Sequence, residues 1–418
     1  MEKLKKYCSI SGLYIKNYII WLLLGITIGI LCGGVGGIFA KSIAFVTDYR
    51  FQNNKLIFLL PVLGLVSVFI YKLCRVSDVG TNNVLKSVQS EEKVPILLAP
   101  AIFIGTIITH LCGGSAGKEG AALQLGGSIS TLVSKVLRLN SSRSHILTIC
   151  SMAGLFSAVF GTPLGACIFA IEVIRVGYIY SAALFPTLVS SITAYSTACL
   201  LKAPHEKFTV TQAPDFNHIL LIKIVVIAIL GAVVSIIFCR TLHISEKLFK
   251  KFIKNPYLRI ASGGIIIIAL SFILRTTDYQ GGGINIIEEI FSHGKVHPEA
   301  FILKIIFTAI TVGAGFKGGE IVPTLFIGAT LGGALALIMS IDPALGAAVG
   351  MVALFCGVTN CPLATLFLSL ELFGTNGFLL VAIACFTSFV LSGYVSLYTG
   401  QKIIFSKTEE GNLPESNE

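Results

Sequence analysis

The sequence predicts an all-α polytopic membrane protein with two internal repeats and broken helices, on three observations. Hydrophobic residues make up 54% and charged ones only 12% of 418 residues, with mean hydropathy +0.86. That composition suits a bundle of membrane helices and not a soluble enzyme. The apolar runs are long and unbroken, where an outer-membrane barrel would alternate. Gly- or Pro-interrupted segments also recur at matching places in the two halves, the pointer to a midplane site built from broken helices.

The elements follow in order. Residues 1–17 form an N-terminal segment that Lys3, Lys5 and Lys6 place in the cytoplasm. Tyr18 to Ala40, 23 residues without a charge, is long enough to span and opens a first membrane repeat over 18–201. Leu56 to Tyr71 is a second run, followed by a polar interval from Ser77 to Lys93 with Gly80-Thr81-Asn82-Asn83. Ile96 to Leu111 and Ala121 to Val133 flank Gly113-Gly114-Ser115-Ala116-Gly117-Lys118-Glu119-Gly120. Ile146 to Ile171, 26 uncharged residues, is interrupted at Gly161-Thr162-Pro163, which suggests a kink or two short segments. Tyr178 to Leu201 closes the repeat.

The second repeat starts over 202–258 with Ile219 to Cys239 and a basic cytoplasmic loop holding Lys247, Lys250, Lys251 and Lys254. Its remainder, 259–401, runs through Ile260 to Leu274, the polar segment Arg275 to His297 and Phe301 to Gly315. A break at Phe316-Lys317-Gly318-Gly319-Glu320 precedes Ile321 to Ile341. Pro343 to Leu370, broken at Asn360-Cys361-Pro362, and Leu372 to Gly400 complete it. The polar tail 402–418 reads as disordered. The eleven cysteines lie mostly in apolar runs without CxxC or Cys/His spacing, so they read as small buried hydrophobes, neither disulfides nor zinc ligands. No cleavable signal peptide is apparent.

The halves echo each other by position. Gly126 comes nine residues after Gly117, and Gly328 nine after Gly319. Glu172 comes nine after Pro163, and Glu371 nine after Pro362. The repeats are taken as inverted, although the spacing alone leaves their orientation open.

Glu119 is the residue on which the chemistry turns. A Lys-Glu pair between two uncharged runs is costly at membrane depth and reads as functional. A glycine-rich turn entering a helix exposes free N–H groups at the positive end of the macrodipole, an anion site. Glu119 would sit there as a tethered anion and leave when protonated. Lys118 either neutralises Glu119, attracts anions, or belongs to a structural ion pair. His110 reads as a packed polar residue, and Glu172 and Glu371 as helix ends near the membrane surface.

Gly117-Lys118-Glu119-Gly120 with Gln124 resembles the G-[RK]-E-G-P…Q motif of the CLC family of chloride channels and proton-coupled anion antiporters, with Ala121 for the proline. Gly318-Gly319-Glu320-Ile321-Val322-Pro323 occupies the place of the family's second-half G-x-F-x-P motif. Phe160-Gly161-Thr162-Pro163-Leu164 with Ile171-Glu172 resembles the segment before its dimer-interface helices. Departures resemble the fluoride-exporting bacterial clade: no G-S-G-x-P serine at Gly80-Thr81-Asn82-Asn83-Val84, a G-F-K-G-G-E second motif, and no proline after Gly120. Val173 stands where chloride antiporters carry a proton-transfer glutamate, which fits that clade and passive chloride channels alike. Val322 is apolar where that clade leads one to expect a polar residue.

The resemblance implies a proton-coupled fluoride antiporter in a bacterial plasma membrane, with a chloride channel or chloride/proton antiporter as the alternative. Glu119 would be gate and proton carrier. The pathway would take Gly117, Lys118, Gly120, Ile321, Val322, Glu320 (or a Lys317–Glu320 pair) and Asn82 and Asn83 (or loop caps). Tyr398, with Tyr394 as second choice, would supply the central hydroxyl; without the likeness Tyr398 reads equally as an interfacial anchor. The expected partners are fluoride or chloride, protons, the bilayer and a second copy of the chain, the last through Ile146–Glu172 and Pro343–Leu391. No cofactor, metal or nucleic acid is expected, and no paired-carboxylate, HExxH, nucleophile-elbow or GxxxxGK[ST] constellation suggests an enzyme or an ATP-driven pump.

Overall fold

The computed structural model describes residues 2–76, 80–90, 92–210 and 217–407, with the side chains of 2–13 outside the description. The anchors expected at Lys3, Lys5 and Lys6, and residues 408–418 of the tail, therefore lie outside it.

The first half contains α1 (Glu2–Gln52), α2 (Leu60–Leu73), α3 (Thr81–Gln89), α4 (Leu98–Leu111), α5 (Glu119–Val136), α6 (Ser141–Phe160), α7 (Pro163–Glu172) and α8 (Ser181–Leu200). The second contains α9 (His218–Phe252), α10 (Pro256–Leu274), α11 (Ile284–His293), α12 (Ala300–Ala314), α13 (Ile321–Ile338), α14 (Pro343–Thr359), α15 (Pro362–Phe373) and α16 (Phe378–Leu391). Lengths run in parallel: a long first helix, a short polar third one, and a break before the fifth and seventh. Seven of the described helices are long and apolar enough to cross a membrane.

Local chemistry places the breaks. Asn140, Asn217, Asn255 and Asp342 accept a backbone N–H at the starts of α6, α9, α10 and α14, the N-cap role of short polar side chains. Proline opens α7, α10, α14 and α15, where its missing N–H costs nothing. Gly161 and Asn360, both left-handed, end α6 and α14, so each 26- to 28-residue apolar run turns at the position its Gly/Pro or Asn/Pro signal marked.

The structure differs from the sequence reading in three places. The polar intervals Ser77–Lys93 and Arg275–His297 contain amphipathic helices, α3 and α11, that bury one apolar face each. Residues 2–52 form one continuous helix that runs unbroken through residue 17. Part of the tail also has a fixed place: β2 (Lys402–Ile403) pairs in parallel with β1 (Arg175–Val176), and Lys407 Nζ donates to Asn360 Oδ1 at 2.6 Å and Phe389 O at 2.7 Å.

The repeats are inverted. The fifth helices of the two halves meet N-terminus to N-terminus through a two-hydrogen-bond antiparallel bridge, Gly117 N to Gly319 O at 2.6 Å and Gly319 N to Gly117 O at 2.7 Å. The seventh helices run side by side with reciprocal ends. Glu172, closing α7, accepts from Leu363 N (3.2 Å) and Ala364 N (2.7 Å) at the start of α15. Glu371, in the last turn of α15, accepts from Leu164 N and Gly165 N, both 2.8 Å, at the start of α7.

Candidate functional site

Helices α5 and α13 start without a side-chain cap, at Lys118 and Glu320. The first intrahelical bonds are Ala122 N to Lys118 O at 3.0 Å and Thr324 N to Glu320 O at 2.9 Å. The amides of Glu119, Gly120 and Ala121, and of Ile321 and Val322, precede them, while Pro323 has none. Two sets of helix-terminal N–H groups thus face one region from opposite repeats, where the macrodipoles favour negative charge.

Glycine makes this approach possible. A Cβ on Gly117 would stand 2.8 Å from Glu119 Oε2 and 3.1 Å from Val322 N, and one on Gly120 would stand 2.8 Å from the Gly319 Cα. No side chain fits between the two turns. The missing polar side chain at Val322 therefore matters less than the sequence suggested, because its backbone amide is what the turn presents.

Glu119 is 0% exposed. Its Oε2 accepts from Lys118 N at 3.1 Å, so the carboxylate curls back over the N-terminus of its own helix. Its Oε1 is buried with no protein partner, as are Gln124 Oε1 and the Tyr398 hydroxyl. Buried polar atoms are ordinarily satisfied, so three orphans around one pair of helix ends mark a place built for a polar or charged ligand.

A cavity of about 1210 Å³ leads toward this place, and Tyr398, Glu320, Gln124, Thr81, Asn82 and Asn83 line it. Tyr398 is 3% exposed and so is not an interfacial anchor. Tyr394, the second choice, is 42% exposed and its hydroxyl pairs with Ser406 Oγ at 3.0 Å. The Tyr398 loop is pinned: Gly400 N donates to Asn82 Oδ1 at 3.1 Å, and Gln89 Nε2 to Gly400 O at 3.0 Å. Asn82 and Asn83 belong to the first turn of α3 rather than to a loop. With Asn82 Oδ1 accepting from Gly400, its amide nitrogen keeps two N–H donors for another partner.

Sequence reasoning missed two groups here. Thr81, the residue before Asn82, donates to Gly120 O at 3.4 Å and accepts from Gln124 Nε2 at 3.4 Å, so a hydroxyl does stand in the segment where no serine occurs. Lys118 does not reach Glu119 with its ammonium; Nζ pairs with Glu206 Oε1 at 2.8 Å. Glu206 lies in the connection between the repeats, with no local pattern to single it out. Glu320 lines the cavity beside Gly120, whereas the Lys317 ammonium stands over the Tyr71 ring, 4.5 Å from its centroid. The ten described cysteines are free, and no cluster of metal-ligating side chains occurs among the described residues.

The same architecture and sequence recur in known proteins. A "Chloride/fluoride channel protein" of Pseudomonas syringae pv. tomato is 32% identical over 395 residues, 93% of this chain and 87% of its own length. The "H(+)/Cl(-) exchange transporter ClcA" of Vibrio cholerae is 26% identical over 416 residues, covering 91% of this chain and 87% of that one. A crystal structure of a CLC-type fluoride/proton antiporter superposes with a TM-score of 0.89 at 31% identity, over 92% of this chain and 98% of that one. The family described as voltage gated chloride channel matches residues 63–393. With that match, and with inverted repeats meeting at Gly117 and Gly319, the chain belongs to the voltage gated chloride channel (CLC) family of membrane proteins.

Proposed function

We propose that this protein is a proton-coupled fluoride antiporter of the bacterial plasma membrane, with Glu119 as gate and proton carrier. The observation that carries the reading is the Glu119 carboxylate, fully buried and folded over the free N–H groups of α5. As an anion it occupies the place where a transported anion would bind; protonated, it loses its hold on those amides and admits the competitor. One cycle then moves an anion and a proton in opposite directions.

The substrate preference rests on dehydration. Fluoride is small and holds its water tightly, so a selective site must return that energy with close donors. The candidates are the helix-end amides of Gly120, Ile321 and Val322, the Tyr398 hydroxyl, and the Asn82 and Asn83 amides, with Gly117 allowing the approach. Glu320 lines the same route, and Lys118, paired with Glu206, keeps positive charge near the gate. Two similar proteins carry fluoride in their names, one as a fluoride/proton antiporter, which favours this substrate.

A chloride channel or chloride/proton antiporter is the second reading, favoured by the Thr81 hydroxyl beside Gly120 and by the exchange transporter of Vibrio cholerae. A homodimer fits the exposed apolar side chains Leu164, Leu363 and Phe367 on α7 and α15. Release from proteoliposomes, followed with fluoride- and chloride-selective electrodes, tests the proposal. Fluoride release well ahead of chloride is expected; chloride release equal to or faster than fluoride release would select the second reading.

A further inference from the structure

Residues 401–407 fold back onto the ends of α14 and α16 and close a loop that carries Tyr398. Tyr394 seals the base of that loop: its hydroxyl accepts from Lys407 N at 3.3 Å and pairs with Ser406 Oγ at 3.0 Å. The half-buried Lys407 side chain turns inward. Its Nζ donates to Asn360 Oδ1 at 2.6 Å and Phe389 O at 2.7 Å, meets Ser392 Oγ at 3.4 Å and also donates to Gly393 O. The Phe389 ring centroid lies 4.2 Å away. All four acceptors are uncharged, and the carbonyls of Phe389 and Gly393 belong to the C-terminal end of α16, where unpaired C=O groups and the macrodipole favour a cation. Burial pushes the ammonium down to about 8, which leaves it mostly charged at neutral pH.

A lysine ordinarily leaves its head in water and keeps its rotamer freedom, so an ammonium turned into a ring of carbonyls holds something in place. Asn360, 0% exposed and left-handed at the end of α14, is bonded at both ends of its amide. Its Oδ1 accepts from Lys407, and its Nδ2 donates to Val395 O at 3.2 Å. An ammonium has donors only, so Lys407 fixes which way the amide is turned and aims its nitrogen at Val395. The same helix end takes up the next residues. Val358 O accepts from Leu397 N at 2.9 Å and Ser396 Oγ at 3.2 Å, and Ser396 Oγ accepts from Tyr398 N at 3.1 Å. The Tyr398 hydroxyl itself has no protein partner. Its position therefore comes from this backbone and from ring packing, with the Phe169 centroid 6.5 Å from its own.

We infer that Lys407 is a positioning residue for the anion site: through Asn360 and the end of α16 it sets the backbone that aims the Tyr398 hydroxyl. The lysine touches neither the anion nor the cavity wall, and acts from the far side of the loop. A small, tightly hydrated anion needs its donors close and at fixed angles, so a hydroxyl on a loosened loop would bind it less well even where the fold survives. The inference rests on the reading of Tyr398 as an anion donor.

Titration calorimetry of fluoride binding to the purified protein tests it, for the wild type, Lys407→Met, Tyr398→Phe, the double variant and Lys402→Met, an exposed lysine of the same segment. Lys407→Met should weaken binding about fivefold or more, the scale of one hydrogen bond, and Lys402→Met should leave it unchanged. In the Tyr398→Phe background Lys407→Met should add little or nothing, because both changes act through one hydroxyl. If monodisperse Lys407→Met binds fluoride as the wild type does, or its loss adds in full to that of Tyr398→Phe, Lys407 only caps helix ends; the inference is overturned and the Tyr398 reading stands. If Tyr398→Phe itself binds like the wild type, the Tyr398 reading falls and the inference with it. Should Lys407→Met not yield monodisperse protein, Asn360→Gly, which keeps the left-handed turn and removes the same link, decides by the same two comparisons.

Discussion

Glu119, whose carboxylate is 0% exposed with one oxygen without a partner, is the residue on which the proposed exchange turns, and its neighbours would set how it moves. Lys118 is held by Glu206 at 2.8 Å, so the ammonium is tethered away from the gate carboxylate while its charge stays close. Glu206→Gln should release it. The freed Lys118 would then pair with Glu119, and exchange should slow about tenfold or more, the scale of one new charged hydrogen bond. Paired measurements of fluoride efflux and proton uptake for this variant check it; unchanged rates would show that the tether is idle. At Tyr398 the prediction concerns a hydroxyl without a partner. Tyr398→Phe should weaken fluoride binding by about 1–3 kcal/mol, read by titration calorimetry, and leave folding intact.

Elements carry the geometry, and two pairs of helices carry most of it. The bridge between Gly117 and Gly319 leaves no space for a side chain, since a Cβ on Gly319 would overlap the Gly120 backbone. Gly319→Ala should therefore separate the ends of α5 and α13 and abolish transport, with a loss of thermal stability in detergent in the range of core overpacking, about 1–3 kcal/mol. The reciprocal caps of α7 and α15 predict a different pattern. Glu172→Ala and Glu371→Ala should each lower stability by about 1–3 kcal/mol, because each leaves two backbone N–H groups without acceptors. Their effects should add, since the caps sit at opposite ends of the helix pair. A cap variant with wild-type melting behaviour would contradict this.

The breaks in these helices were legible in the sequence because Gly, Pro and Asn punctuate the chain locally, as at Gly161-Thr162-Pro163 and Asn360-Cys361-Pro362. Their pairings were not. Glu172 meets Leu363 and Ala364 across 191 and 192 positions, and Glu206 meets Lys118 across 88, and no local pattern carries such contacts. Helix α3 was hidden for another reason: its apolar face is short and its other face polar, so the interval read as a loop.

At the scale of the whole molecule basic side chains gather on the walls of the large cavity. Seven Lys or Arg residues line the 1210 Å³ cavity against two acids, Glu246 and Glu320. A concave surface of one sign concentrates counter-ions, and salt screens it within about 10 Å at roughly 0.1 M. Fluoride uptake at low substrate should therefore fall several-fold when an impermeant salt raises ionic strength from about 0.02 to 0.2 M; a flat response would remove steering from the account. The inverted repeats bring this cavity, the Gly117–Gly319 bridge and the buried Glu119 carboxylate together. The most direct measurement follows fluoride efflux and proton uptake together in proteoliposomes holding the wild type or Glu119→Gln. Coupled, opposite movement of both ions in the wild type, with proton movement lost in Glu119→Gln, is the predicted result; unimpaired exchange in that variant would contradict the account.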